Sequence, residues 1–196
     1  MSGLSFDPAV ALVVVDVQND FADPAGSLSV TGGERVVQAV NMLVDEAHAA
    51  AAPVVYTQDW HPRDTPHFEK DGGIWPVHCV AGTWGAQFHP ALHVEGETVR
   101  KGTAGEDGYS GFTMRDPVTG VIGSTGLVEL LHSDGVTGVV IAGLATDYCV
   151  KATALDAVGH GFRVTVVEAA VAAVDVEPGD GDRALAELAA AGVSLA

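Results

Sequence analysis

The sequence predicts one α/β domain built around a central, mostly parallel sheet. Short apolar runs rich in β-branched residues alternate with helical patterns along the chain, as they do in successive βαβ units. With 196 residues, of which 47% are hydrophobic and 18% charged, the chain is also long and apolar enough for one full core. We therefore expect a single domain over residues 1–196, without repeats or linkers.

The first half of the chain contains three predicted strands and one long helix. Residues 9–15 form an uninterrupted apolar run, which is typical of a buried strand. Apolar side chains recur three and four positions apart over residues 34–51, which predicts a helix that ends before Pro53. Residues 54–58 and 98–100 are the next two predicted strands.

The second half of the chain continues the alternation. β-Branched residues predict strands at 136–142 and 162–167. Helical spacing, with glycines after two of the segments, predicts helices at 127–131, 151–158 and 183–191. The sequence therefore indicates parallel strands joined by helical crossovers.

The segment from about residue 60 to residue 92 departs from this pattern. It combines Pro, Gly, His and Trp without a helical or strand period, which predicts a long irregular loop. Loops of this length are usually functional or disordered. Four aromatic residues favour an ordered loop: Trp60, Phe68, Trp75 and Trp84.

The charge of the chain restricts its partners. Nine Lys and Arg against 26 Asp and Glu give a net charge of −17, which repels phosphate backbones and anionic lipids. We therefore expect a small-molecule substrate and neither nucleic-acid nor membrane partners, while a homo-oligomer stays open. The first eight residues show no targeting pattern, and Cys79 and Cys149 are too few for a disulfide framework, so a cytoplasmic location is expected.

Three reactive side chains follow predicted strands. Asp16 comes directly after the first strand and Lys101 after the third, while Cys149 lies at the start of the helix that leaves strand 136–142. Taken alone, Asp16 is also explained as a turn residue, Lys101 as a solvated lysine and Cys149 as a core thiol. Because ligands bind at the carboxyl ends of parallel strands, we expect the three side chains to converge in one site.

Such a trio can hydrolyse an amide through a thioester. An ordinary thiol, with a pKa of ~8.5, is mostly protonated at neutral pH, so the fold must either favour the thiolate or supply a base. The helix start and Lys101 favour the anion, and Asp16 can accept the proton. Backbone N–H groups of Ala145 and Cys149 can stabilise the oxyanion of a tetrahedral intermediate.

A second cluster of polar residues has the composition of a metal site: Asp59, His61, His67 and His78. One carboxylate and three imidazoles suit a divalent ion and leave positions for water or substrate. Any one of these histidines is also explained as a solvated loop residue. Taken together, the four residues favour metal binding.

The reactive and metal-site residues belong to five short motifs, which occur in this order along the chain: Asp16-Val-Gln-Asn-Asp-Phe21, Asp59-Trp-His61, Trp75-Pro-Val-His-Cys79, Lys101-Gly-Thr and Ala145-Thr-Asp-Tyr-Cys149-Val. They resemble, in order and spacing, the motifs of the nicotinamidases, which belong to the isochorismatase-like cysteine hydrolases. The resemblance implies a three-layer α/β/α sandwich. It also implies hydrolysis of nicotinamide to nicotinate and ammonia, a salvage step towards NAD.

The resemblance further implies roles for the two clusters. Cys149 would be the nucleophile, Asp16 the general base and later acid, and Lys101 the partner that orients Asp16 and favours the thiolate. Asp59 and the three histidines would hold one divalent ion, with zinc, iron and manganese all open. The free positions of that ion would take the pyridine nitrogen or water.

The remaining implications concern the substrate. Phe21 and Trp75 would flank the ring of nicotinamide or a similar aromatic amide, with Tyr109 as a further contact. The Leu144–Ala145 peptide would be cis, so that N–H groups point into the oxyanion site.

Three alternatives compete with this reading. The nearest is another cysteine amidase of the same superfamily, acting on an N-carbamoyl compound, with a vestigial histidine cluster. From a different class comes a non-enzymatic metal-binding or thiol-sensing protein. A vinyl-ether hydrolase of the isochorismatase type is less favoured, since that reaction needs no cysteine.

Overall fold

The computed structural model describes residues 4–196, so the interpretation of the first three residues as free of a targeting pattern lies outside the described part. The strands are β1 (Val10–Val15), β2 (Val54–Asp59), β3 (Glu97–Lys101), β4 (Thr113–Arg115), β5 (Ile122–Ser124), β6 (Gly138–Leu144), β7 (Arg163–Ala172) and β8 (Ser194–Leu195). Six of them form one sheet in the order β3-β2-β1-β6-β7-β8, and every neighbouring pair in it is parallel.

Helices cover both faces of this sheet. They are α1 (Asn19–Ala22), α2 (Gly33–Ala49), α3 (Leu127–Ser133), α4 (Lys151–Gly159) and α5 (Asp180–Ala190). Helix α2 contributes to the core on one face, and α3, α4 and α5 contribute to the core on the other. The expected three-layer α/β/α sandwich is confirmed.

The composition of β1 follows from its place in the middle layer. Leu12 and Val14 pack in the core beneath α2, whereas Ala11, Val13 and Val15 pack in the opposite core. A strand with both faces covered needs apolar side chains at every position, which explains the uninterrupted run in the sequence.

Several boundaries differ from those expected from the sequence. Strand β7 continues to Ala172 instead of ending at residue 167, past a register irregularity against β6. The turn expected at residues 145–150 is one π-helical turn, Thr146–Val150, that leads directly into α4. The hairpin of β4 and β5 was not expected from the sequence, because its three-residue strands are largely exposed and carry no buried period.

The long loop after β2 is irregular, as predicted, but it is tied together at several points. A single turn of 3₁₀ helix spans Glu69–Asp71, and isolated bridges pair His61 with Val80 and Phe68 with Trp75. The Phe68 side chain is fully buried. Within residues 4–196, no helix combines the length and apolar character needed to cross a membrane.

Gly143 in β6 allows a close approach to β1, and its substitution by alanine is expected to lower stability. Its φ is +120°, and an added Cβ would lie 2.1 Å from the Val15 carbonyl oxygen. We expect Gly143→Ala to lower the free energy of unfolding by about 2 kcal/mol or more. Denaturant unfolding would measure the loss. Gly159→Ala is the control, because Gly159 ends α4 in open space, and equal stability of the two variants would contradict the argument.

Candidate active site and metal centre

The carboxyl ends of three parallel strands bring the reactive side chains together. Asp16 follows β1, Lys101 ends β3, and Cys149 lies in the π-helical turn after β6. The Lys101 ammonium Nζ lies 2.9 Å from Asp16 Oδ2 and 3.6 Å from Cys149 Sγ. The structure thus places the three residues of the predicted trio within reach of one another, at the point where the strand order changes direction between β1 and β6.

Asp16 is a buried carboxylate positioned to accept a proton. Its side chain is 0% exposed, and its φ of +49° lies in the left-handed region, which is uncommon outside glycine and clusters at functional sites. The Thr57 hydroxyl donates a hydrogen bond of 2.6 Å to Asp16 Oδ1. Burial raises the pKa of Asp16 even though Lys101 acts in the opposite direction, which makes this carboxylate a better base than an exposed one.

Cys149 is a buried thiol beside a buried cation. Burial raises the pKa of Cys149 well above its usual range, and the attraction of Lys101 only partly offsets this effect. Of the two ways to activate the sulfur that the sequence leaves open, the structure favours a base that removes the proton during attack. Asp16 and Cys149 have reactive atoms within 4.8 Å of each other, which suits that role.

Lys101 connects the predicted catalytic trio to the predicted metal site. Its Nζ donates to Asp59 Oδ1 at 2.6 Å as well as contacting Asp16. Burial alone would lower the pKa of Lys101, but the Asp16 and Asp59 carboxylates raise it well above its ordinary value, so it stays charged. Burial alone would raise the pKa of Asp59, yet Lys101 and His61 hold it well below its usual range. This hydrogen bond joins two clusters that the sequence predicts only as separate sites.

Three histidines of the loop after β2 face one another. Ligand nitrogens of His61, His67 and His78 lie within 4.8 Å of one another, and His61 Nε2 is 3.8 Å from Asp59 Oδ2. Both ring nitrogens of His61 are buried and make no hydrogen bond to the described residues. Unpaired buried nitrogens are costly unless a ligand satisfies them, so these residues fit a divalent metal ion.

The protonation and orientation of the histidines also suit metal binding. Burial lowers the pKa of His67 to about 4, and it lowers the pKa of His78 as well, so both rings are neutral near pH 7. His78 Nδ1–H donates to the Pro76 carbonyl at 2.7 Å, which leaves Nε2 for a ligand. Gly102 lets the backbone pass close behind His61, since a Cβ there would lie 2.5 Å from its Nδ1.

One cleft is lined by both the Cys149 sulfur and two of the three histidines, His67 and His78. Phe21, Trp75 and Tyr109, the expected substrate contacts, all line it. Trp75 Nε1–H donates to the Tyr109 hydroxyl at 3.2 Å. The other residues that line the cleft are Leu28, Val30, Asp59, His67, His78, Gly108, Leu144, Ala145, Tyr148, Cys149 and Val174. The sides of the cleft are therefore mostly aromatic and apolar, and the cleft is open to both the thiol and two of the imidazoles.

Tyr148 is a cleft residue to which sequence reasoning gave no role. Its ring centroid lies 5.0 Å from that of Trp75 and 5.2 Å from that of Tyr109, both in edge-on arrangements. The only signal in the sequence was its place beside Cys149. The expected oxyanion residues, Ala145 and Cys149, also line the cleft, and the Leu144–Ala145 peptide is cis, as expected.

Comparisons with known proteins agree with this architecture. The family model described as "Isochorismatase domain" matches residues 10–196. The nicotinamidase of Escherichia coli is 35% identical over 96% of this chain and 94% of its own. A pyrazinamidase of Pyrococcus horikoshii, solved in complex with zinc, is 39% identical with a TM-score of 0.85, covering 96% of this chain and 99% of its own.

A further similar structure was solved with a ligand bound. PnC1 from L. infantum in complex with nicotinate is 40% identical with a TM-score of 0.88, and the alignment covers 98% of this chain and 95% of that one. The family resemblance expected from the motifs is therefore confirmed. This chain belongs to the isochorismatase domain family.

Proposed function

We propose that the protein is a cysteine amidase that hydrolyses nicotinamide to nicotinate and ammonia, with a divalent metal in the same cleft. The observation that carries this proposal is the shared cleft, which places the Cys149 thiol and the imidazoles of His67 and His78 around one aromatic-lined space. A small heteroaromatic amide offers a carbonyl carbon that the Cys149 sulfur can attack. It also offers a ring nitrogen that can face the histidines at the other end of the cleft. The relatives named nicotinamidase and the neighbour bound to nicotinate support this substrate class.

In the first half of the reaction, the Cys149 sulfur attacks the carboxamide carbon while its proton passes to the Asp16 carboxylate. The negative charge that develops on the carbonyl oxygen is stabilised by N–H groups of Ala145 and Cys149. Asp16 then returns the proton to the amide nitrogen, the C–N bond breaks, and ammonia leaves a thioester on Cys149. Lys101 stays charged throughout and keeps Asp16 oriented toward the sulfur.

In the second half, water adds to the thioester carbon and gives a proton to Asp16. The C–S bond breaks, the acid product is released, and Cys149 regains its proton from Asp16. Atoms balance as amide plus water giving acid plus ammonia. The product acid ionises at neutral pH, so the net effect of the cycle is nicotinate formation, a salvage step towards NAD.

Asp59, His61, His67 and His78 are the residues that would hold the metal. A divalent ion held by these residues would supply Lewis-acid chemistry toward a ring nitrogen or a water molecule. Zinc, iron and manganese all suit this donor set, and the zinc-bound pyrazinamidase relative favours zinc. Both ring nitrogens of His61 lack a hydrogen-bond partner among the described residues, which argues against a vestigial histidine cluster as in the N-carbamoyl amidase alternative.

Ammonia release from nicotinamide by the purified protein tests the proposal. We expect steady release that falls roughly 100-fold after chelation, because the substrate loses its positioning, and that returns when zinc, iron or manganese is added back. No release from nicotinamide under any metal condition would reject the substrate. Full activity in protein shown to be free of metal would instead reject the role of the ion and favour the N-carbamoyl alternative.

A further inference from the structure

The segment from the proposed base Asp16 to the cleft wall Phe21 contains two buried polar side chains that the proposed chemistry does not use. Gln18 is 0% exposed and Asp20 is 8% exposed. Neither is among the residues that line the cleft. Both make hydrogen bonds to the backbone of segments that carry proposed metal ligands.

Gln18 holds the backbone of Asp59 on both sides of its Cα. Its Oε1 accepts the Asp59 N–H at 2.8 Å, and its Nε2 donates to the Asp59 carbonyl, also at 2.8 Å. A second Nε2 bond of 2.9 Å reaches the Ala86 carbonyl in the long loop. The two bonds to Asp59 restrict rotation of the backbone from which its carboxylate projects.

Asp20 holds the residue after His78. Its Oδ2 accepts the Cys79 N–H at 2.7 Å, and its Oδ1 accepts the Ser27 N–H at 3.1 Å. The loop packs directly against this carboxylate, since a Cβ on Gly85 would lie 2.0 Å from Oδ2. Asp20 therefore fixes the position of the loop at the point where it presents His78 to the cluster.

We propose that Gln18 and Asp20 are positioning residues of the metal centre, which act through the backbone of Asp59 and of Cys79. They lie on the same short segment as Asp16 and Phe21, so one stretch of chain would set the places of the base, the ring wall and two metal ligands. Ligands held in place before the ion arrives lose less conformational freedom on binding, and outer-shell contacts of this kind contribute to metal affinity. The inference rests on the metal site proposed above.

The zinc affinity of the metal-free protein tests this inference, with a chromogenic chelator as competitor. Gln18→Met keeps the side-chain volume but removes both bonds to Asp59, and Asp20→Asn keeps the shape but cannot accept both N–H groups. We expect each substitution to weaken zinc binding roughly 10- to 100-fold. Two independent variants keep the test decisive if one of them fails to fold.

Gln58→Met is the matched control. Gln58 is also buried, its Nε2 donates to the same Ala86 carbonyl at 2.8 Å, and its Oε1 accepts from Arg100 Nε at 3.0 Å. It makes no side-chain hydrogen bond to Asp59 in the described structure. We expect its zinc affinity to stay close to that of the unchanged protein.

Circular dichroism and thermal unfolding of the metal-free variants separate positioning from general stability. A purely structural role would lower the unfolding midpoint of all three variants while leaving zinc affinity unchanged, and that result would overturn the proposal. Weaker zinc binding in Gln18→Met and Asp20→Asn, but not in Gln58→Met, supports it. If the unsubstituted protein takes up no zinc, iron or manganese, both the proposed metal site and this inference are overturned. The proposed amidase activity is tested separately, by ammonia release.

Discussion

Cys149→Ala is expected to lower ammonia release from nicotinamide by roughly 10⁴-fold or more, because no thioester can form without the sulfur. In the described structure the thiol makes no hydrogen bond to Asp59 or to the three histidines, although Lys101 Nζ lies 3.6 Å from the sulfur. Zinc uptake by the variant should therefore match that of the unchanged protein. Ammonia assays and metal analysis on the same preparation check both expectations.

Cys79→Ala is the matched control for this substitution. Cys79 is also a free, buried thiol, and burial raises its pKa well above the usual range, but it lies outside the cleft lining. Alanine keeps the backbone N–H that Asp20 accepts. We expect this variant to retain activity. Substantial turnover in Cys149→Ala, or an equal loss in both variants, would contradict the assignment of Cys149 as nucleophile.

The convergence of Asp16, Lys101 and Cys149 could be predicted because it depends on topology. Parallel strands present their carboxyl ends at one edge, and a strand buried on both faces is recognisable from its uninterrupted apolar run, as in β1. Once the strands are located, the polar residues that follow them must meet. No knowledge of individual side-chain contacts is needed for this step.

Contacts that depend on loop geometry could not be predicted in this way. The hydrogen bond between Lys101 and Asp59 joins residues on neighbouring strands. The local periodicity of the sequence predicts where strands lie along the chain, but it does not predict their order in the sheet. Tyr148 enters the cleft only because the π-helical turn after β6 presents it beside Trp75. The histidines could be grouped by composition, but the irregular loop gave no spacing from which to place His67 and His78 in space.

Lys101→Met is expected to damage both stability and catalysis. Lys101 is 2% exposed and is the cation that contacts the buried Asp16 and Asp59 carboxylates at 2.9 and 2.6 Å. Its removal leaves two carboxylates within 4.8 Å of each other without that compensation, so we expect metal-free protein to lose roughly 3–5 kcal/mol of unfolding free energy. Ammonia release should fall roughly 10³-fold, because Asp16 loses the partner that orients it.

The partly exposed pair of Lys151 and Glu187 provides the control for the stability measurement. Their charged atoms are 3.1 Å apart, but the side chains are 30% and 60% exposed, so solvent screens the attraction. Lys151→Met should therefore cost about 1 kcal/mol or less. Comparable losses for the two lysine variants would contradict the claim that the burial of Lys101 makes its charge important.

A double substitution separates charge compensation from catalysis. Adding Asp16→Asn to Lys101→Met removes one of the two uncompensated carboxylates, so part of the lost stability should return, with a coupling of about 0.5–3 kcal/mol between the sites. Activity should stay lost, because asparagine cannot accept the Cys149 proton. Denaturant unfolding of the metal-free single and double variants measures the coupling. Strictly additive losses would mean that Lys101 stabilises the fold through its packing alone. The buried ion pair would then no longer explain why this lysine lies between the sulfur and the proposed metal ligands.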